Sequence, residues 1–231
     1  KNELFLFFFI FYFGDYMKII GIVARPDITS QNNFVMVVNK KLLEVIQRYN
    51  VNVMVIIPPC KDNYIDFGYE EGPKITDYDF NKMLDLIKMC NGIILQGGDE
   101  FYDFDIRIID YLYKNDIPTL GICLGMQSMA FYKGGNYVRV NNHYKVNHSV
   151  KIRRNSKLYS ILKSETIMVC SRHNYQVKGS FLFVNAKSED NVIEGFEDNS
   201  KRFFLACQWH PEENDDVYQR RLFQSFIDSL E

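Results

Sequence analysis

The sequence predicts an α/β protein with a mostly parallel central sheet, helices on both faces, and antiparallel edge strands added in the C-terminal half. Three observations lead there. Up to about residue 132, short apolar runs alternate with stretches of helical periodicity. Such alternation implies parallel strands joined by helical crossovers. After Gly134-Gly135 the pattern changes to a succession of short strand candidates. The 231 residues, 47% hydrophobic and 24% charged, are enough chain for a sizeable core.

Lys18 to Ala24 is a first buried strand, and Arg25-Pro26-Asp27 ends it at the functional rim. Residues 34 to 49 carry Val35, Val38, Leu42, Val45, Ile46 and Tyr49 at helical spacing and predict a helix. Val51 to Ile57 is a second strand, stopped by Pro58-Pro59. The connection from Pro58 to Thr76 is long enough to be either a surface loop or a lid. Thr76 or Asp77 caps the next helix, whose buried stripe is Phe80, Met83, Leu84 and Ile87. Gly92 to Leu95 is a third strand, roughly 104 to 114 a helix, and Ile117 to Ile122 a fourth strand. In the second half, strands are expected at 146–152, 166–170, 181–186, 192–196 and 203–208. Helices are expected at 157–162 and at 217–230, the last capped by Asp215 or Asp216.

The chain is organised around Gly121-Ile122-Cys123-Leu124-Gly125-Met126-Gln127. A strand ends here, and Met126, Met129 and Ala130 begin a helix. Cys123 therefore sits on a sharp strand-to-helix turn bracketed by glycines, the thiol counterpart of a nucleophile elbow. The helix N-terminus beyond it favours negative charge at the sulfur. Cys60, Cys90, Cys170 and Cys207 lack this bracketing and read as small buried hydrophobes. A cysteine nucleophile needs a base and a group to hold that base. Gln208-Trp209-His210-Pro211-Glu212 offers both, since residues i and i+2 of an extended segment share a side.

Together these segments resemble the class I glutamine amidotransferase superfamily, over about residues 17 to 231, and so imply its flavodoxin-like fold. Carried over, Cys123 is the nucleophile, His210 the general base and acid, and Glu212 the group that orients His210. Leu95-Gln96-Gly97-Gly98-Asp99 is similar to the family's oxyanion strand, so the backbone of Gly97, Gly98 and Leu124 is expected to bind the developing oxyanion. Gln127, Ser171 and His173 fall where the family contacts the glutamyl moiety. The implied reaction is cleavage of a γ-glutamyl amide through a cysteine thioester, with no metal or other cofactor. Within the superfamily the chain is most similar to the γ-glutamyl-γ-aminobutyrate hydrolase group. It departs from that group at Leu124, where Arg is common, and at His173-Asn174-Tyr175, where His-His-Gln is common. A competing reading is a glutaminase subunit that delivers ammonia to a synthetase partner in trans. A third is a binding protein on an inactive scaffold, against which the intact Cys123, His210 and Glu212 set argues.

The formal net charge of −2 shows no electrostatic footprint for nucleic acid. Five cysteines without metal-ligand spacing fit a reducing cytoplasm. A homodimer is compatible with the resemblance. Leu4 to Phe13 is a ten-residue apolar run, short of the roughly 20 residues a membrane span needs. The expectation is that residues 1–16 are a leader or apolar extension, that Met17 starts the catalytic domain, and that residues 17–231 form one domain.

Overall fold

A computed structural model of the chain describes residues 17–59, 74–179 and 183–230. The expected leader lies outside these residues, as does most of the 58–76 connection with its lid reading. A nine-stranded sheet forms the centre. Its first part is parallel: β4 (Asn52–Ile56), β1 (Ile19–Val23), β5 (Gly92–Leu95), β6 (Thr119–Ile122) and β13 (Phe204–Cys207), in that spatial order. Its second part is antiparallel: β12 (Ile193–Glu197), β11 (Phe183–Ser188), β8 (Tyr144–Ile152) and β9 (Thr166–Arg172). The expected architecture is therefore the observed one. One strand differs in class: the pattern puts 203–208 among the antiparallel edge strands, but β13 lies parallel to β6 at the middle of the sheet.

Alternation along the central strands explains the two-sided burial. Ile20 and Ile22, Ile94, Leu120 and Ile122, and Leu205 and Cys207 face one core. Val23, Ile93 and Leu95, and Phe204 and Ala206 face the other. Adjacent residues in a strand point to opposite faces, and here both faces are covered. The first core is closed by α1 (Lys40–Ile46), α5 (Lys157–Leu162) and α6 (Val217–Asp228), through Leu42, Leu158, Leu162, Phe223 and Phe226. The second is closed by α2 (Asp77–Ile87), α3 (Asp103–Lys114) and α4 (Leu124–Tyr132), through Phe80, Phe104, Ile108, Met126 and Met129. Thr76 caps α2 and Asp216 caps α6, each by accepting from backbone N–H groups of the first turn.

The helix at 34–49 is shorter than its periodicity suggests. Its first residues instead form β3 (Phe34–Val37), paired antiparallel with β2 (Arg25–Ile28) around a turn in which Asn32 has φ 60°. The β-branched and extended run through Val38 suits a strand, and helix formation waits for Asn39, whose side chain accepts from the N–H groups of Lys41 and Leu42. A second small sheet, β7 (Asn136–Arg139) with β10 (Tyr175–Lys178), has no separate signal in the sequence. Among the described residues no helix is long and apolar enough to cross a membrane.

Candidate active site

The carboxyl ends of β5, β6 and β13 meet at one rim, where ligands of open parallel sheets bind. Cys123 follows β6 directly and has φ 51°, ψ −104°, outside the ordinary regions for a residue with a Cβ. The flanking glycines serve a different purpose from the one expected. A Cβ on Gly125 would lie 2.0 Å from the Leu95 carbonyl oxygen, and one on Gly121 would lie 2.4 Å from Met129 Sδ. They let α4 pack against β5 and β6, while the strain of the turn is held by Cys123 itself. The Cys123 N–H donates to the Cys207 carbonyl at 2.9 Å, tying the elbow to β13.

His210 arrives two residues after Gln208, at the end of the β13 segment, and its N–H donates to the Cys170 carbonyl at 3.0 Å. Its Nδ1 lies 2.7 Å from Glu212 Oε1. The expected contact is present, but not through an extended segment. Pro211–Glu213 is a 3-10 turn with His210 at its N-cap, and the proline occupies the first turn, where no N–H is needed. Burial disfavours the imidazolium, but interaction with the Cys123 sulfur and the Glu212 carboxylate outweighs it and pushes the His210 pKa up to about 11.

Gly97 and Gly98 stand against this pair. A Cβ on Gly97 would lie 2.9 Å from His210 Cε1, 3.7 Å from His210 Nε2 and 3.5 Å from Cys123 Cβ. One on Gly98 would lie 3.1 Å from Leu124 Cδ2 and 3.2 Å from Arg25 Cγ. Leu124 opens α4, so its N–H belongs to the first helical turn, whose N–H groups have no acceptor within the helix. Gln127 is buried one turn further on, its Nε2 3.3 Å from Gln208 Oε1 and 3.4 Å from the Tyr175 carbonyl.

Ser171 and His173 are gathered elsewhere along the same wall. Ser171 Oγ is 2.7 Å from His148 Nε2, and His173 lies over His143 with ring centroids 4.9 Å apart. Both surround the buried carboxylate of Glu194. They reach the elbow helix through the Tyr175 carbonyl, which is near both His173 Nδ1 (2.9 Å) and Gln127 Nε2 (3.4 Å).

Several supporting residues carry no mark in the local sequence. Asn39 Nδ2 donates to Glu212 Oε1 at 3.0 Å, so one carboxylate oxygen holds both the imidazole and the cap of α1. Gln96 Nε2 donates to the Val23 and Val37 carbonyls, while its Oε1 accepts from Asn39 N–H. Glu213, to which the sequence assigns no role, pairs with Lys41 and with Arg172 and so joins α1 and β9 to the 3-10 turn. Arg25 packs beside the Gly97-Gly98 turn and is paired with Asp105, both buried, at 2.7 Å. Its one signal is its position, a charged residue directly after a buried strand at the expected rim.

Known proteins resemble this chain over much of its length. A glutamine amidotransferase-like protein of Rickettsia prowazekii (strain Madrid E) is 25% identical over 243 residues, covering 71% of this chain and 86% of that one. The glutamine-hydrolyzing GMP synthase of Ruthia magnifica is 30% identical over 156 residues, covering 63% of this chain. The chain spans only 30% of that synthase's length. The glutaminase domain of a Trypanosoma brucei CTP synthase has a similar fold, with a TM-score of 0.65 at 18% identity, covering 93% of this chain and 94% of the other. The family model described as Glutamine amidotransferase class-I matches residues 59–229, and the chain belongs to that family.

Proposed function

We propose that the protein hydrolyses a γ-glutamyl amide, glutamine first among them, with Cys123 as nucleophile, His210 as base and acid, and Glu212 as the group holding His210. The observation that carries this reading is the convergence of the elbow cysteine, His210 and the Gly97 backbone on one point at the sheet rim. The Cys123 sulfur adds to the amide carbonyl carbon, and the carbonyl electrons move to oxygen. Backbone N–H groups of Leu124 and of the Gly97-Gly98 turn then bind that oxyanion, each donor contributing roughly 3 kcal/mol. Collapse breaks the C–N bond, and the amine leaves with the proton carried by His210. Water, deprotonated by His210, splits the thioester to glutamate and free thiol. Gln127 supports the glutamyl side of the pocket, and Ser171 and His173 support it through the Tyr175 segment.

The relatives bear on the leaving amine. The sequence points first to γ-glutamyl-γ-aminobutyrate, whereas glutamine-hydrolyzing GMP synthase relatives favour glutamine and ammonia delivery to a synthase partner, in the same or another polypeptide. An assay of the purified chain separates these. Glutamate release from glutamine and from γ-glutamyl-GABA is measured for wild type, Cys123→Ser and Glu212→Gln. The expected result is turnover that Cys123→Ser abolishes and that Glu212→Gln lowers about 10²- to 10⁴-fold in kcat. Glutamine turnover rising only on addition of a synthase selects the partner reading. Equal turnover in wild type and Cys123→Ser would overturn the mechanism.

A further inference from the structure

Three of the chain's four histidines, far apart in sequence, converge on one buried glutamate away from Cys123. His143 precedes β8, His148 lies in β8, His173 follows β9, and Glu194 lies in β12. Glu194 is fully buried, and His143 and His173 nearly so.

The outer nitrogen of each ring faces an oxygen that only accepts. His143 Nε2 is 3.1 Å from Asp190 Oδ2, His148 Nδ1 is 3.1 Å from the Ser149 carbonyl, and His173 Nδ1 is 2.9 Å from the Tyr175 carbonyl. Each outer nitrogen must therefore carry the proton, and in the neutral ring the inner nitrogen presents a lone pair. The three inner nitrogens lie 3.2 Å (His143 Nδ1), 3.5 Å (His148 Nε2) and 3.5 Å (His173 Nε2) from Glu194 Oε1. His143 Nδ1 and both Glu194 oxygens have no partner at ordinary hydrogen-bond geometry among the described residues. The hydroxyl of Ser171 can donate to His148 or His173, but only to one at a time. Lone pairs so outnumber donors that the centre requires positive charge.

We propose that this cluster is a structural site for a divalent transition-metal ion, zinc above all, held by His143 Nδ1, His173 Nε2 and Glu194, with His148 Nε2 as fourth ligand. The ligand atoms of the first three lie within 4.8 Å of one another. The spacings of 3.2 to 3.5 Å about Glu194 Oε1 compare with about 3.3 Å between ligands of a tetrahedral zinc at ordinary bond lengths. Imidazole and carboxylate donors suit zinc. Asp190 and the two backbone carbonyls are the outer partners that orient metal-binding histidines. His148 and Asp190 are the partly exposed members, so the ion has a route in. A bound ion would tie the loop before β8, the end of β9 and β12 together, beside the Tyr175 segment that touches α4.

The test uses the full chain, stripped with chelator, in a Cys123→Ser background so that no thiolate at the elbow competes. Calorimetric titration with Zn²⁺ is expected to show one equivalent bound. His143→Gln and Glu194→Gln should each weaken binding at least about 100-fold, and the exposed outer-partner change Asp190→Asn about 10- to 100-fold. Because buried variants can misfold, Co²⁺ loading of the otherwise wild-type chain gives a second readout. It should yield a tetrahedral visible spectrum with no thiolate-to-cobalt band. Absence of binding, binding indifferent to Asp190→Asn and His143→Gln, or a thiolate band would each overturn the proposal and leave a cluster closed by protons alone.

Discussion

At the scale of single residues, Cys123 concentrates both strain and chemistry. A non-glycine residue at φ 51°, ψ −104° costs on the order of 1 to 3 kcal/mol. Glycine normally destabilises an ordered segment, yet here it would relieve the turn. Cys123→Gly is therefore expected to be more stable than Cys123→Ala by about 1 kcal/mol, measured as denaturant midpoints. The reverse order would show that the elbow is unstrained. His210 offers a second check. Its pKa is raised to about 11, so its contribution to stability is fully present below the unfolded-chain value near 6.5 and is lost as pH rises through 11. The His210 ring signal in NMR should stay that of the protonated form from pH 6 to 9. In Cys123→Ala, which removes one of the interactions raising it, the titration should move to lower pH. A wild-type ring that titrates below pH 7 would contradict this account.

At the scale of elements, the elbow is a packing problem solved by Gly125. Strand β5 passes so close to α4 that a methyl group on Gly125 would collide with the Leu95 carbonyl. Backbone cannot yield as a side-chain tip can, so Gly125→Ala should cost at least about 1 to 3 kcal/mol. It should also displace Leu124 and with it any oxyanion donor. Thermal unfolding together with kcat checks this, and an unchanged melting temperature would show that the approach of α4 to β5 is slack. The 3-10 turn after His210 teaches a related lesson. Alternation within Gln208–Glu212 correctly pairs His210 with Glu212, but the observed pairing comes from Pro211 starting a tight turn, with Asn39 of a distant helix cap completing it.

At the scale of the whole molecule, stability should follow the two cores that share the parallel strands. Strands β1, β5, β6 and β13 are covered on both faces, whereas the β2–β3 hairpin leaves Ile28 and Phe34 exposed. Amide hydrogen exchange is expected to be slowest in those four strands and faster by orders of magnitude in the hairpin. Comparable protection in both would mean that the hairpin is buried in solution. The Arg25–Asp105 pair links the rim to α3, and its full burial makes loss of one partner more damaging than loss of both.

Much of this is legible along the chain. Period-two and period-3.6 patterns mark the central strands and most helices, because burial on a fixed face leaves a local trace. Cys123, His210 and the two-glycine turn are legible because their neighbours are unusual for any purely structural purpose. Folding in space alone decided the rest. The parallel pairing of β13, the Asn39 contact with Glu212, and the meeting of His143, His148 and His173 at Glu194 join residues whose local sequence is ordinary. Such contacts depend on which strands become neighbours, a choice made by burying apolar faces across the whole sheet, and no window of sequence contains it.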